Sequence, residues 1–170
     1  ASDVYKRQVL DYCYEHRLPL AMEILDIDFF KQYNDNYGHQ QGDECIIAIA
    51  DELKKMEDRQ TFCARYGGDE FIIIYAGASA EEVYAKAAAL RQNIMDLKLE
   101  HLYSKALPIV TISQGISYGV PEEGNRSWDF LHTADMLLYQ VKKKSRNDIC
   151  IADIRGQELD LSSKQEKVEP

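Results

Sequence analysis

The feature that most constrains the fold is a Gly-Gly pair set between two apolar runs. The runs Thr61–Arg65 and Phe71–Tyr75 flank the sequence Arg-Tyr-Gly-Gly-Asp-Glu-Phe at Arg65–Phe71. Glycine accepts the positive φ that tight turns require, so this pattern predicts a β-hairpin. Two acids, Asp69 and Glu70, follow the turn directly. Acids at a hairpin tip are often only solvated turn residues, and the pair taken alone leaves that interpretation open.

A second acidic pair ends an apolar run further upstream. Leu20–Ile27 is apolar apart from one Glu and the Asp near its end, which favours a strand buried on both faces. Asp26 and Asp28 are two residues apart, so on a strand their side chains point to the same side. Asp28 also fits the N-cap of a short helix over Phe29–Asn36. Asp26 lies within the apolar run, where a buried carboxylate needs a partner or a metal ion.

Apolar spacing and stop signals predict the remaining elements. These are helices over 1–16, Gln40–Met56, Ser79–Leu97 and from Ser127 into the basic run Lys142–Arg146, and β structure over Pro108–Ser113, Gly115–Val120 and Ile149–Ile154. We expect a break near Gly115 between two of the β segments. The order predicts an α+β fold with a central mixed, mostly antiparallel sheet flanked by helices.

Composition limits the class of partner. A chain of 170 residues fits one domain, and its net charge of −9 argues against a nucleic-acid partner. A local basic pocket for a small phosphorylated ligand remains compatible with that charge. The four cysteines are scattered, and no apolar run approaches the ~18 residues of a membrane span. We therefore expect a cytoplasmic domain without direct membrane contact, although the full-length protein could be membrane-anchored.

The two acidic motifs together predict a metal site. If Asp26 ends a central strand and Asp69 and Glu70 occupy a neighbouring hairpin tip, these acids meet at one edge of the sheet. Carboxylates without Cys or His suit Mg²⁺ or Mn²⁺, ions that often serve phosphoryl transfer. Lys142–Arg146 would hold a triphosphate, or it merely complements the C-terminal end of its helix. Asp43 is open to the same helix-dipole interpretation at the start of its own helix.

Taken together, these motifs resemble the GGDEF family of diguanylate cyclase domains. The resemblance covers roughly residues 5–152, and its blocks are Asp26–Lys31, Asn34-Asp35, Gly38-His39, Gly42-Asp43, Arg65–Phe71, Thr111–Gly115, Ala134–Lys142 and Arg146-Asn147. It implies a palm-like nucleotide cyclase fold with a ferredoxin-like core. It also implies that two GTP molecules are joined into cyclic di-GMP, with loss of two pyrophosphates, by two copies of the domain that face each other.

The resemblance assigns the acidic residues to metal binding and chemistry. Asp26, the backbone carbonyl of Ile27, and Asp69 would bind Mg²⁺ (or Mn²⁺), and Glu70 would complete that acidic site. Asp69 would also assist deprotonation of the 3′-hydroxyl. Lys31 would stabilise charge on the phosphates in the transition state.

The resemblance assigns other positions to GTP. Lys142 and Arg146 would hold the β- and γ-phosphates, and His39 would lie beside the nucleotide. Asn34 and Asp43 would recognise guanine, whose N1–H and N2–H₂ groups can both donate to one carboxylate; this favours a binding role for Asp43 over the helix-dipole interpretation. Gly67 and Gly68 lack a Cβ, so a triphosphate can come close to the turn.

Some positions depart from the family pattern. Asp58 and Thr61 stand where many active members carry an Arg-x-x-Asp inhibitory site for the product, so we predict that this feedback site is absent. Ser145 and Gln114 also replace residues usual in the family. The alternative function is a catalytically silent GTP-binding module that acts through a partner. A third possible function is that of a purely structural interaction domain, but such a function leaves the converging acids unexplained.

We expect three segments along the chain. Residues 1–16 would form an N-terminal helix that ends a linker from a sensory domain in the full-length protein. Residues 17–154 would form the catalytic domain, which would need to act as a homodimer. Residues 155–170 are polar and are expected to form a mobile tail.

Overall fold

A computed structural model describes residues 2–157, 159 and 161 of the chain, and these contain five helices and five strands. The helices are α1 (Ser2–His16), α2 (Phe30–Tyr37), α3 (His39–Met56), α4 (Ala80–Asp96) and α5 (Ser127–Lys144). The strands are β1 (Leu20–Ile27), β2 (Thr61–Gly67), β3 (Glu70–Ala76), β4 (Ile112–Gly119) and β5 (Ile149–Asp153).

The strands form one sheet in the order β2-β3-β1-β4-β5. β1 pairs antiparallel with both β3 and β4, β2 pairs antiparallel with β3, and β5 pairs parallel with β4. The predicted mixed, mostly antiparallel sheet is therefore confirmed. All eight residues of β1 are buried, as its apolar run requires for the central strand.

Helices cover both faces of the sheet, and β1 contributes alternate side chains to each face. Ala21, Leu25 and Ile27 pack with side chains of α3 and α4. Met22 and Ile24 pack on the other side with side chains of α1 and α5. Asp26 continues the second set, so the end of β1 presents its acid towards α5.

The predicted break near Gly115 is wrong, because β4 runs through this residue without interruption. A Cβ at Gly115 would overlap the carbonyl oxygen of Ala134 and the backbone nitrogen of Leu138. The glycine therefore permits close packing of α5 on β4 and does not mark a turn. Of the predicted β segment Pro108–Ser113, Ile112 and Ser113 belong to β4, whereas Ile109 forms only an isolated bridge with Glu100.

Two apolar side chains lie within the stretch expected to be a mobile tail. Leu161 is buried in the core on the α3 and α4 side, and Leu159 packs against the same cluster. The backbone N–H of Leu159 also donates to the Ile151 carbonyl. The rest of that prediction, over 158, 160 and 162–170, lies outside the described residues. Among the described helices, none combines the length and apolar character needed to cross a bilayer.

Glu23 is a fully buried acid in the middle of β1. Its Oε1 accepts a hydrogen bond from the Tyr75 hydroxyl at 2.8 Å, and its Oε2 finds no partner among the described residues. Burial raises the pKa of Glu23 to about 8, and the hydrogen bond from Tyr75 opposes this only in part. The folded chain therefore holds a proton on Glu23 at a pH where the unfolded chain has lost it.

We expect Glu23→Gln to make the free energy of unfolding less sensitive to alkaline pH. Because the folded-state pKa is raised, the contribution of Glu23 is most favourable below pH 4.5 and declines up to about pH 8. The variant should match the wild type near pH 4 and exceed it by on the order of a few kcal/mol above pH 8. Urea unfolding across this range measures the difference. The exposed Glu44→Gln serves as control, and a constant difference between Glu23→Gln and wild type would contradict the prediction.

Candidate active site

The pairing of β1 with β3 brings the predicted acidic residues together. Asp26 lies directly opposite Glu70 in the antiparallel register, so both side chains are on the same face of the sheet. Asp69 lies in the turn before Glu70, and its carbonyl accepts from the N–H of Ile27 at 3.4 Å. The four residues predicted to bind a metal thus lie at one end of the sheet.

Asp26 is only 4% exposed and forms an ion pair through its Oδ2 with Lys142 of α5. Its Oδ1 is buried and has no hydrogen-bond partner in the described part of the chain. Burial raises the pKa of Asp26 to about 7; Lys142 opposes the rise, and the charges of Asp69 and Asp28 add to it. One lysine therefore does not compensate for the cost of burying this carboxylate among other acids.

The pKa of Glu70 is raised as well. Burial is the main cause, Lys142 lowers it, and the negative charges of Asp135 and Asp69 raise it further. This end of the sheet thus concentrates more negative charge than its lysine neutralises. A cation bound here would lower the pKa of each acid and stabilise its ionised form.

The donor set fits a hard divalent ion by its chemistry, although it is not preassembled around one. Within residues 2–157, 159 and 161, no three His, Cys, Asp or Glu side chains are grouped so as to hold an ion. The available donors are all oxygens, as Mg²⁺ and Mn²⁺ prefer. The buried Oδ1 of Asp26 is the one that most needs a positive partner.

Asp28 does not act as an N-cap, so that interpretation of the sequence is wrong. α2 begins at Phe30, and its N-cap position is Phe29, which has φ 55° and makes no side-chain cap. Asp28 is instead completely buried. Its carboxylate accepts from the hydroxyls of Thr111 at 2.7 Å and Ser113 at 2.6 Å, and from the Asn147 N–H at 2.9 Å. The residue therefore connects the end of β1 to β4 and to the turn after α5.

The same turn carries Arg146, one of the predicted phosphate-binding residues. Its guanidinium lies 3.9 Å from Asp28 Oδ1 and stacks over the Phe29 ring, 4.2 Å from the ring centroid. The carbonyl of Phe29 is in turn 2.9 Å from Nε2 of the buried His101. These contacts hold Arg146 beside the end of β1.

A basic cavity of about 210 Å³ lies next to the acidic end of the sheet. It is lined by Phe29, Lys105, Ala106, Lys142, Lys144, Ser145 and Arg146. Both predicted phosphate-binding residues, Lys142 and Arg146, are among them. Lys105 was not predicted, because it comes from a loop without periodicity, and only the fold brings it to the cavity. Such a concentration of cations in a chain of net charge −9 is suited to an anionic ligand.

The predicted guanine-binding residues lie on the two helices that follow β1. Asn34 is on α2 and the exposed Asp43 is on α3. A Cβ at Gly42 would overlap the side-chain oxygen of Asn34, so this glycine permits the side chain of Asn34 to lie against α3. The sequence shows Gly42 only as part of a motif; its role depends on contact between two helices.

Lys31 and His39 remain at the edge of this site. Both are exposed, Lys31 in the first turn of α2 and His39 at the start of α3. Neither forms an ion pair in the part of the chain that the structure describes. Their predicted roles stay predictions.

Hydrogen bonds from Arg65 stabilise the turn of the hairpin. Nε and Nη2 of Arg65 donate to the Gly68 carbonyl at 3.0 and 2.7 Å. Gly68 has φ 54°, a conformation that favours glycine. Gly67 has no such φ, and a Cβ there would meet open space. Neither the backbone nor the packing of the domain therefore demands glycine at position 67.

The positions of the family's product-inhibition motif are occupied by an internal ion pair. Lys86 of α4 donates to Asp58 at 2.9 Å and to the Thr61 hydroxyl at 2.8 Å. The hydrogen bond from Lys86 is the main reason that the pKa of Asp58 is lowered to about 2. Lys86 thus satisfies both side chains.

Comparison with known proteins identifies the family. The model of the family described as "Diguanylate cyclase, GGDEF domain" matches residues 5–148. The chain belongs to this family. Among solved structures, the GGDEF domain of DgcB from Caulobacter crescentus, in complex with c-di-GMP and with its coiled coil, superposes with a TM-score of 0.80 at 28% identity, covering 89% of this chain and 79% of that one. The active GGEEF domain of a diguanylate cyclase from Vibrio cholerae gives a TM-score of 0.75 at 29% identity, covering 88% and 92%. The palm-like nucleotide cyclase fold of the GGDEF family is thereby confirmed.

Two curated relatives of this GGDEF chain carry cyclase names. It is 35% identical over 144 residues to the probable diguanylate cyclase DgcC of Escherichia coli K12, covering 83% of this chain and 37% of that protein. It is 34% identical over 139 residues to diguanylate cyclase A of Treponema denticola, covering 81% and 36%. The chain thus spans little more than a third of the length of these relatives.

We expect Asp28→Asn to destabilise this GGDEF domain by about 2–4 kcal/mol. The substituted amide would turn donor hydrogens towards groups that already donate to Asp28. Denaturant unfolding measures the loss, and the exposed Asp35→Asn on α2 is the control, with an expected change within about 0.5 kcal/mol. Equal small effects of the two substitutions would show that Asp28 does not hold these segments together.

Proposed function

We propose that this GGDEF domain is the catalytic domain of a diguanylate cyclase, which condenses two GTP molecules into cyclic di-GMP and two pyrophosphates. The observation that carries the proposal is the position of Asp26 and Glu70, opposite each other at one end of the sheet, beside a cavity lined by Lys142 and Arg146. Acids and cations adjacent in this way suit phosphoryl transfer with a triphosphate donor. The cyclase names of the relatives support the same function.

In the proposed reaction, the 3′-hydroxyl oxygen of each GTP bonds to the α-phosphorus of the other. The bond from that phosphorus to the bridging oxygen of the pyrophosphate breaks, and the hydroxyl proton is released. Asp69 is the proposed acceptor of that proton, with Glu70 beside it. Lys31 is proposed to reach the phosphates and stabilise charge that develops on them.

The cavity residues bind the leaving pyrophosphate in this proposal. Lys142 and Arg146 hold the β- and γ-phosphates, and Lys105, which lines the same cavity, adds a third cation. The glycine at position 67 also supports a triphosphate ligand. Since neither backbone conformation nor packing requires glycine there, room for a closely bound ligand explains it.

A divalent ion, Mg²⁺ or Mn²⁺, is part of this proposal. Asp26, the carbonyl of Ile27, Asp69 and Glu70 would hold it, and when bound it neutralises charge on the phosphates and polarises them for attack. The unpartnered Oδ1 of Asp26 and the raised pKa values of Asp26 and Glu70 support this assignment.

Selection of GTP is assigned to α2 and α3. Asp43 accepts from the N1–H and N2–H₂ groups of guanine, which adenine cannot offer together. Asn34 makes a second contact from α2, at the position that Gly42 permits. His39 lies beside the nucleotide in this arrangement.

The proposed reaction needs a homodimer, because each domain binds one GTP and the two nucleotides react with each other. A sensory domain N-terminal to α1 is the proposed source of regulation in the full-length protein. These are proposals for the whole protein, of which the chain spans only part by comparison with its relatives.

The direct test is incubation with GTP and Mg²⁺ at high protein concentration, with cyclic di-GMP measured by chromatography. The wild type is expected to form product, and Asp69→Ala is expected to reduce the rate at least about a hundredfold. The exposed Asp35→Ala is the control and should keep wild-type activity. A wild type that binds GTP and is demonstrably dimeric but forms no product would instead support a catalytically silent GTP-binding module.

We also expect that added cyclic di-GMP does not inhibit the wild type non-competitively, since Lys86 already satisfies Asp58 and Thr61. Initial rates over a range of GTP concentrations, with and without product, test this. Combining Asp58→Arg with Thr61→Asp installs the Arg-x-x-Asp pattern and provides the matched comparison, in which non-competitive inhibition should appear. Such inhibition in the wild type would contradict the prediction.

A further inference from the structure

One stripe of side chains on α5 belongs neither to the core nor to the acidic site. Asp135, Tyr139 and Lys143 are spaced four residues apart and Met136 precedes Tyr139 by three, so all four lie on one side of the helix. Met136 is 51% and Tyr139 58% exposed, and Lys143 lies over the Tyr139 ring at 4.8 Å from its centroid. Exposed aromatic and Met side chains with flanking charges are typical of an interface. We call this set the α5 stripe.

The α5 stripe borders the candidate active site. A surface depression of about 280 Å³ beside it is lined by Asp135, Met136, Leu138, Tyr139 and Lys142. Lys142 is the lysine that pairs with Asp26, and the charge of Asp135 acts on Glu70. A molecule that covers the α5 stripe therefore also covers the entrance to the acidic site.

The proposed reaction requires a second copy of the chain at the entrance to the acidic site. Two copies of the chain have to face each other with both acidic sites at their contact. Two identical chains that meet in this way form a twofold pair, in which the same surface patch serves both partners. The inference below rests on that proposed function.

Under one such twofold axis, the charges of the α5 stripe in one copy are complementary to those of the same stripe in the other copy. Asp135 precedes Tyr139 by four residues and Lys143 follows it by four. An axis through Tyr139 and perpendicular to α5 places Asp135 against Lys143 of the partner subunit, and the reciprocal pair forms as well. Parallel helices would place like charges opposite each other, which is unfavourable.

We infer that the α5 stripe is the surface on which a second copy of this chain docks for catalysis, with the two α5 helices antiparallel about Tyr139. In this arrangement the two Lys142 residues are separated by a rise of six residues, about 9 Å along the helix axis. Packed helices are about 8–10 Å apart. The two acidic sites therefore lie side by side across the contact, as an attack of each nucleotide on the other requires.

Charge reversal with complementation between chains tests the inference. Asp135→Lys and Lys143→Asp each set like charges against each other at both reciprocal contacts. Each variant alone is expected to lose about tenfold or more of the cyclase rate at low protein concentration. An equimolar mixture forms pairs of unlike chains in which both contacts are attractive. Its rate should exceed the mean of the separate variants by about fivefold or more, and the double variant should also recover.

Two controls separate docking from damage to a single site. GTP affinity of each variant should stay within about threefold of wild type, because exposed charges are largely screened. The exposed Asp51→Lys on α3 makes the same charge change as Asp135→Lys away from the α5 stripe and should keep wild-type activity. Asp135 acts on Glu70 of its own chain, but Lys143→Asp in another chain cannot repair that site. Recovery in the mixture therefore reports the contact itself.

The outcomes distinguish the two proposals. Single variants as active as wild type, or a mixture no better than the mean, would overturn docking through the α5 stripe and leave the cyclase function standing. If the wild type itself forms no product, sedimentation of the same proteins with bound GTP is the readout. Association of wild type and of the mixture, but of neither variant alone, would then support the contact although the cyclase function had failed. If the wild type, the mixture and the single variants all associate to the same extent, docking through the α5 stripe is overturned.

Discussion

The buried carboxylate of Asp28 is the contact on which the arrangement of the candidate site most depends. It directly follows β1, and it accepts hydrogen bonds from the start of β4 and the residue before it, and from the turn after α5. A buried charge is stable only when its acceptors are filled, so these three segments cannot separate without a large cost. Arg146 follows α5 within that turn and is held over Phe29 in consequence. A structural anion thus positions a cation that is proposed to bind phosphate.

The close packing of α5 on β4 determines what each side of that helix can do. Because Gly115 lacks a Cβ, the backbone of α5 approaches the sheet directly at Ala134 and Leu138. The approach brings Lys142 to the buried acid at the end of β1. The opposite side of the helix stays exposed, with Tyr139 at its centre. One helix therefore serves the acidic site through Lys142 and, in our inference, a second chain through the neighbouring α5 stripe.

Local patterns in the sequence predicted most of the elements and the acidic end of the sheet. The apolar run of β1 and the Gly-Gly pair of the hairpin are short-range signals, and the structure places Asp26 opposite Glu70 as their strands imply. What was missed depends on contacts between distant segments. The acceptor role of Asp28, the approach that Gly115 permits and the position of Lys105 at the basic cavity all follow from packing, which a single sequence does not display. The specific roles of site residues came from family resemblance.

The electrostatics of the site explain how one set of residues can serve the domain both with and without its proposed ligands. Without them, Lys142 compensates for Asp26, whose pKa of about 7 shows that the compensation is incomplete. On the proposed function, Asp26 and Glu70 would hold a divalent ion that supplies positive charge, and Lys142 would then be free to bind the phosphates of GTP. Neither charge is then left buried alone, which would be costly. The ion pair between Asp26 and Lys142 is in this view an exchangeable contact, and Asp28 provides the fixed one.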